Sequence, residues 1–184
     1  MATKREQRIA AAEARRDLAA GQRAAASAKI CERLMELPEL QRAKTVFSYM
    51  ALGDEADLSA VHEWLRARGV RLAFPVSLPH GVMEAWEPGG WREGAYGICE
   101  PDRERSSPVA PEEIDLVLTP CVAFDGENRR LGHGGGYYDR FLPQCPQAVT
   151  VAAAFEAQRL EEVVCDAHDR SMDVVVTERG IFRK

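Results

Sequence analysis

The chain has 184 residues, 46% hydrophobic, 29% charged and 7% aromatic, a balance that excludes a disordered tail, a collagen-like fibre or a coiled coil. Its formal charge of −5 offers no basic surface for a nucleic-acid backbone, although residues 1–45 hold ten Lys/Arg against six Asp/Glu and the other 139 residues carry −9. Five dispersed cysteines without a CxxC pair, no signal-peptide core and no apolar run near the ~20 residues of a membrane span predict a single soluble domain over residues 1–184. The expectation is a cytoplasmic monomer with no nucleic-acid or membrane partner.

In chain order, residues 4–36 read as helix, rich in alanine and divided at Gly21. Ile30, Leu34 and Leu37 make one buried stripe, which Pro38 ends. The positive charge of this segment fits either a solvated helix face or contact with an anion such as phosphate. Thr45–Leu52 is a strand by its β-branched and aromatic content. A helix over 57–68 follows, capped by Asp57 and stopped at Gly69, and Val70–Val76 returns as a strand. This βαβ unit implies a parallel pair. Val82–Trp86 reads as a short edge strand and residues 101–113 as a surface connection. Ile114–Val122 is nearly all apolar, as in a central strand covered on both faces. After a turn at Asp125-Gly126 and a glycine cluster, a helix runs from Tyr137 to Leu142 and is cut off by Pro143. Ala148–Phe155 and Asp173–Thr177 are the last strands. The alternation predicts an α/β fold, a three-layer open sandwich with a mostly parallel sheet.

The glycine cluster is where chemistry is expected. Gly132, Gly134, Gly135 and Gly136 surround His133 between a buried strand and a helix. Glycine lets the backbone approach a ligand closely with its N–H groups turned inward, and a helix N-terminus favours phosphate. A flexible surface turn is the alternative. No Gly-Lys-Ser/Thr follows, so this is not a P-loop, and Tyr137 stands where the dinucleotide fingerprint needs glycine.

The run RLGHGGGYYDRFL, preceded by CVAFD, resembles the defining segment of the 5-formyltetrahydrofolate cyclo-ligase family. Lys4 through Arg8 is similar to the family's N-terminal K-x-x-x-R, and Met50 with Asp54-Glu55 to its strand-end segment. Gly97-Ile98-Cys99-Glu100-Pro101 resembles its G-I-x-E-P, and His168-Asp169 with Asp173 its C-terminal HD-x-x-x-D. The resemblance implies an ATP- and Mg2+-dependent closure of a reduced folate, with or without a polyglutamate tail, on a Rossmann-like fold similar to the sugar-phosphate isomerase and CoA-transferase type. ATP would phosphorylate the formyl oxygen, N10 would attack, and phosphate would leave.

Carried over residue by residue, the resemblance implies that Lys4 and Arg8 reach the ATP phosphates and that Arg130, Leu131, Gly132, His133, Gly134, Gly135, Gly136, Tyr137 and Tyr138 wrap the nucleotide. His133 through Tyr137 would also border the folate, with Met50 lining the pocket and Glu55 accepting the pterin N–H groups. Arg130, Tyr138 and Asp139 would be catalytic, and Asp139 and Asp169 would hold Mg2+, which prefers hard oxygen ligands. For Asp139 a helix-end carboxylate, and for Asp169 a turn residue, are the plain alternatives; Asp173 reads as structural. Some members carry Lys at the position of Gly135 and Arg, Tyr or Met at that of His133. Lys4, Arg8, Arg130 and the metal must then neutralise more of the triphosphate, with His133 either a pH-dependent donor or an ordinary loop residue. Trp86 and Trp91 read as packing. A folate or nucleotide sensor without turnover is the rival reading.

Overall fold

Apolar side chains alternate along short strands so that successive residues face opposite sides, and a sheet built of them must be covered on both. The computed structural model describes residues 2–94, 97–166 and 170–184. Helices α1 (Lys4–Arg16), α2 (Ala20–Glu36) and α3 (Pro38–Arg42) precede strand β1 (Thr45–Phe47) and helix α4 (Ser59–Ala67). Strands β2 (Arg71–Leu78), β3 (Val82–Glu87), β4 (Trp91–Glu93), β5 (Cys99–Pro101), β6 (Ser107–Val109), β7 (Leu116–Pro120), β8 (Ala123–Phe124) and β9 (Arg130–Leu131) follow. Helix α5 (Tyr137–Phe141) and strands β10 (Val149–Ala153), β11 (Val174–Val176) and β12 (Ile181–Arg183) complete the chain.

One eight-stranded sheet runs in the order β12-β11-β10-β7-β1-β2-β3-β6. From β11 to β2 neighbouring strands are parallel, and β12, β3 and β6 join antiparallel at the flanks. Val46, Leu116, Leu118, Val151 and Val174 point to one face, where α2, α3 and α4 cover them. Phe47, Val117, Ala152 and Val175 point to the other, against Phe141, Leu142 and Met172. This second cover is thin, since α5 has five residues and passes at Leu142 into a 3-10 turn. Helix α1 lies off the sheet, with Ala11 packed on Val122, Ala123 and Leu131 of the β8–β9 hairpin.

The predicted βαβ unit is present as β1–α4–β2, with Thr45 opposite Arg71 in parallel register. Asp57 accepts the Ser59 N–H at 2.9 Å. Gly69, at φ +71°, closes α4 by donating to the Arg66 carbonyl, while Val70 donates to that of Leu65. As expected, α2 stops before Pro38, at Glu36, and Pro38 then opens α3 at its first position, where no N–H is needed. Three points differ from the sequence reading. The helical break falls at Asp17–Ala19 and not at Gly21, which lies in the first turn of α2, where Gln22 Oε1 accepts the Ala19 N–H. β3 is not an edge, because β6, inside the expected surface connection, pairs outside it and keeps Pro108 on the sheet rim. β12, absent from the sequence reading, follows β11 as an antiparallel edge. Among the described residues no helix is long and apolar enough to cross a membrane.

Under α4, His62 Nε2 lies 2.8 Å from Ser48 Oγ, with the Phe74 ring edge-on to the imidazole. Burial pushes the imidazole from 6.5 down to about 4. The unfolded chain therefore takes up the proton first, so His62's contribution is complete above pH 6.5 and lost as pH falls toward 4. Urea unfolding across that window should register a fall of about 2–3 kcal/mol that a His62→Gln variant lacks.

Candidate active site

Chain connections from β1 run to β2 on one side and, later, to β7 on the other, so the sheet changes direction of winding between β1 and β7. In an open α/β sheet the crevice beyond the carboxyl ends of such strands is where ligands bind. A cavity of about 600 Å³ lies there, bordered by Tyr49 and Met50 after β1, Pro120 at the end of β7, and Pro75 and Ser77 of β2. The glycine loop and the first turns of α1 close the remaining sides.

The loop is positioned from Asp125, whose buried carboxylate spans the β8–β9 turn. Its Oδ1 accepts the N–H groups of Glu127 (3.0 Å) and Arg129 (3.1 Å). Its Oδ2 accepts Arg129 Nε (2.6 Å) and the Val163 N–H (2.8 Å). The hairpin so fixed delivers Arg130, 4% exposed in its side chain, beneath the cavity. Arg130 Nη1 donates to the Pro120 carbonyl at 3.0 Å and Nη2 lies 3.5 Å from Asp139 Oδ1. The guanidinium sits 5.2 Å from the Tyr138 ring centre, and burial holds the Tyr138 phenol above its ordinary range, so it stays protonated.

Residues 132–136 are pinned at both ends by arginines. Arg8 Nε donates to the Gly132 carbonyl (2.8 Å), and Arg140 Nη1 donates to those of Gly135 (2.9 Å) and Gly81 (3.2 Å). At Gly134 (φ +99°) and Gly136 (φ +68°) a side chain would be strained, and at Gly136 its Cβ would stand 2.7 Å from Arg140 Nη1. Lys4 Nζ donates to Asp166 Oδ2 at 2.6 Å, and both border the cavity. Across from them Glu55, 6% exposed in its side chain, contacts His133 Nε2 through Oε1 at 2.7 Å and accepts the Leu52 N–H through Oε2.

Of the residues singled out in the sequence, Lys4, Arg8, Met50, Glu55, Arg130 through Tyr138 and Asp139 all line this one cavity. Asp169 and His168 lie outside the described residues. Asp173 stands apart, accepting the Thr150 N–H and hydroxyl at 2.8 Å each, a structural anchor. Trp86 donates to Glu84 and Trp91 packs edge-on to Phe74; neither lines the cavity. Sequence reasoning passed over Asp166, and it quoted Glu100 within the G-I-x-E-P resemblance without giving it a role; the buried Glu100 carboxylate borders the cavity and accepts Arg92 Nη2 (2.7 Å) and the Ser77 N–H. Its place in that motif was the available signal, and Gly94 makes room for it, since a Cβ there would strike the Glu100 side chain. Also unforeseen is the buried pair Arg15–Asp54 (2.7 Å), which ties α1 to the segment bearing Glu55. Among the described residues no group of three or more metal-ligating side chains exists. Asp139, exposed at the cavity rim, is a hard oxygen donor of the kind Mg2+ prefers.

The sequence profile of the 5-formyltetrahydrofolate cyclo-ligase family matches residues 1–178. A probable 5-formyltetrahydrofolate cyclo-ligase of Schizosaccharomyces pombe is 30% identical over 176 residues, covering 85% of this chain and 86% of the relative. The 5-formyltetrahydrofolate cyclo-ligase of Escherichia coli is 28% identical, over 82% of this chain and 86% of its own. The solution structure of Aquifex aeolicus 5,10-methenyltetrahydrofolate synthetase superposes with a TM-score of 0.86 at 33% identity, covering 98% of this chain and 92% of that one.

Asp125 carries the heaviest structural duty near the cavity. Asp125→Ala should lower the unfolding free energy by about 2–4 kcal/mol, since it leaves the buried Val163 N–H and the turn N–H groups of Glu127 and Arg129 without their acceptor. Denaturant titration checks this; a loss below about 1 kcal/mol would mean the hairpin is held by other contacts.

Proposed function

The chain belongs to the 5-formyltetrahydrofolate cyclo-ligase family, and from that membership we infer that it is the enzyme that closes 5-formyltetrahydrofolate to 5,10-methenyltetrahydrofolate at the expense of ATP. The observation that carries this reading is a family match over residues 1–178 on a chain whose cavity gathers the glycine loop, the α1 cations and Glu55.

A formyl amide oxygen is a weak nucleophile, so positioning and charge neutralisation must supply most of the catalysis. In our reading the formyl oxygen attacks the γ-phosphorus: an O–P bond forms, and the bond from that phosphorus to ADP breaks. N10 then attacks the activated carbon, loses its proton, and the carbon–oxygen bond breaks to release phosphate. Lys4 and Arg8 meet the phosphates from α1, and the backbone of residues 130–138 wraps the nucleotide. Arg130, buried and fixed by the Pro120 carbonyl and Tyr138, offers a planar set of donors where phosphoryl charge develops. Glu55 accepts the pterin N–H groups, Met50 lines the ring, and His133 through Tyr137 border both substrates. Asp139, together with Asp169, would hold a Mg2+ ion, which supplies neutralisation of phosphate charge when bound.

No covalent protein intermediate is needed. Burial pushes the Cys121 thiol up to about 12, and the Ser48–His62 pair is buried away from the cavity. The winding change between β1 and β7 supports a Rossmann-like three-layer reading of the fold. We further propose that residues 1–184 act as one domain, as a monomer in the cytoplasm.

Purified protein mixed with 5-formyltetrahydrofolate, Mg2+ and ATP should develop the near-ultraviolet absorbance of the methenyl product. Asp139→Ala and Arg130→Ala should each reduce turnover about a hundredfold or more with circular dichroism unchanged. Lys4→Ala should raise the KM for ATP more than that for folate. Tight folate binding without ATP-dependent product would favour a sensor instead.

A further inference from the structure

Glu55 has two differently committed oxygens. Oε2 accepts the Leu52 backbone N–H at 2.9 Å, a contact fixed by the chain itself. Among the described residues Oε1 is held by His133 alone, whose ring nitrogen lies 2.7 Å away on a side chain 52% exposed. A pterin edge that docks on a carboxylate through two neighbouring N–H groups reaches one lone pair on each oxygen. With the Glu55 side chain only 6% exposed and the His133 ring already against Oε1, the two occupants compete for the same room.

The loop around His133 is built so that the side chain can leave while the backbone stays. The Gly132 carbonyl is held by Arg8 and the Gly135 carbonyl by Arg140, while Gly134 lies against the Arg8 guanidinium, which a Cβ there would meet at 3.3 Å. His133 thus sits between two residues that neighbour Arg8, on a backbone held at Gly132 and Gly135.

We propose that His133 is an exchangeable occupant of Glu55, displaced by the pterin edge and drawn to the triphosphate, so that each substrate favours the binding of the other. This rests on the reading of Glu55 as the pterin's partner. The coupling is reciprocal: a nucleotide that attracts His133 removes the competitor for Glu55.

Titration calorimetry with 5-formyltetrahydrofolate, with and without a non-hydrolysable ATP analogue and Mg2+, tests this on the wild type, His133→Ala and Glu55→Gln. Without nucleotide, His133→Ala should bind folate about two- to fivefold more tightly than the wild type, the value of a partly exposed pair. The analogue should tighten folate binding to the wild type and leave that of His133→Ala nearly unchanged. Unchanged or weaker folate binding by His133→Ala, alongside a strong loss in Glu55→Gln, overturns the exchange alone. Folate binding untouched by Glu55→Gln overturns the assignment of Glu55, and the exchange with it.

Discussion

A single buried carboxylate organises the working end of this molecule. Asp125 accepts four hydrogen bonds, from Glu127, Arg129 and Val163, and so closes the β8–β9 hairpin and ties it to the segment that follows Leu160. Charge-assisted bonds to backbone N–H groups are strong where water is excluded, and one acceptor that satisfies four donors fixes their relative positions. Arg130 leaves this hairpin directly into the cavity floor, and α1 rests on the hairpin through Ala11. Both the central cation and the helix bearing Lys4 and Arg8 are therefore set by the same anchor.

The sheet supplies the other half of the geometry. Parallel strands buried on both faces bring the ends of β1 and β7 side by side, and the chain segments leaving them carry Glu55 on one side and Arg130 on the other. Arg15–Asp54, Glu55–His133 and Arg8–Gly132 then link α1, the segment after β1 and the glycine loop in a closed ring. Such enclosed or partly enclosed polar links add little net stability but fix register, which suits a site whose chemistry depends on holding two substrates at the right separation.

Much of this was legible in the residues. The nearly continuous apolar run from Ile114 marked the central strand, because a strand covered on both faces has no polar side. The glycine run around His133 marked the loop, because close backbone approach and positive φ leave few other choices. What escaped depended on partners far along the chain. Arg15 looks like one more solvated arginine until Asp54 is beside it, and Glu100, quoted only as a motif residue, has no evident role until Arg92 and Gly94 enclose it. Three-residue strands such as β6 and β12 are defined by the neighbour they pair with and leave little local trace. One local signal was overlooked: Thr3 and Glu6 form a reciprocal cap that starts α1 at Lys4.

In the proposed reaction the formyl oxygen and the γ-phosphorus meet in the cavity between the glycine loop and Glu55. That meeting leaves an isotopic trace. With a heavy oxygen isotope in the formyl group of 5-formyltetrahydrofolate, mass spectrometry of the phosphate released in one turnover should find the label in phosphate, one atom per product formed. Unlabelled phosphate, with the heavy oxygen in water or retained by the folate, would contradict the phosphoryl transfer for which the cavity is read as built.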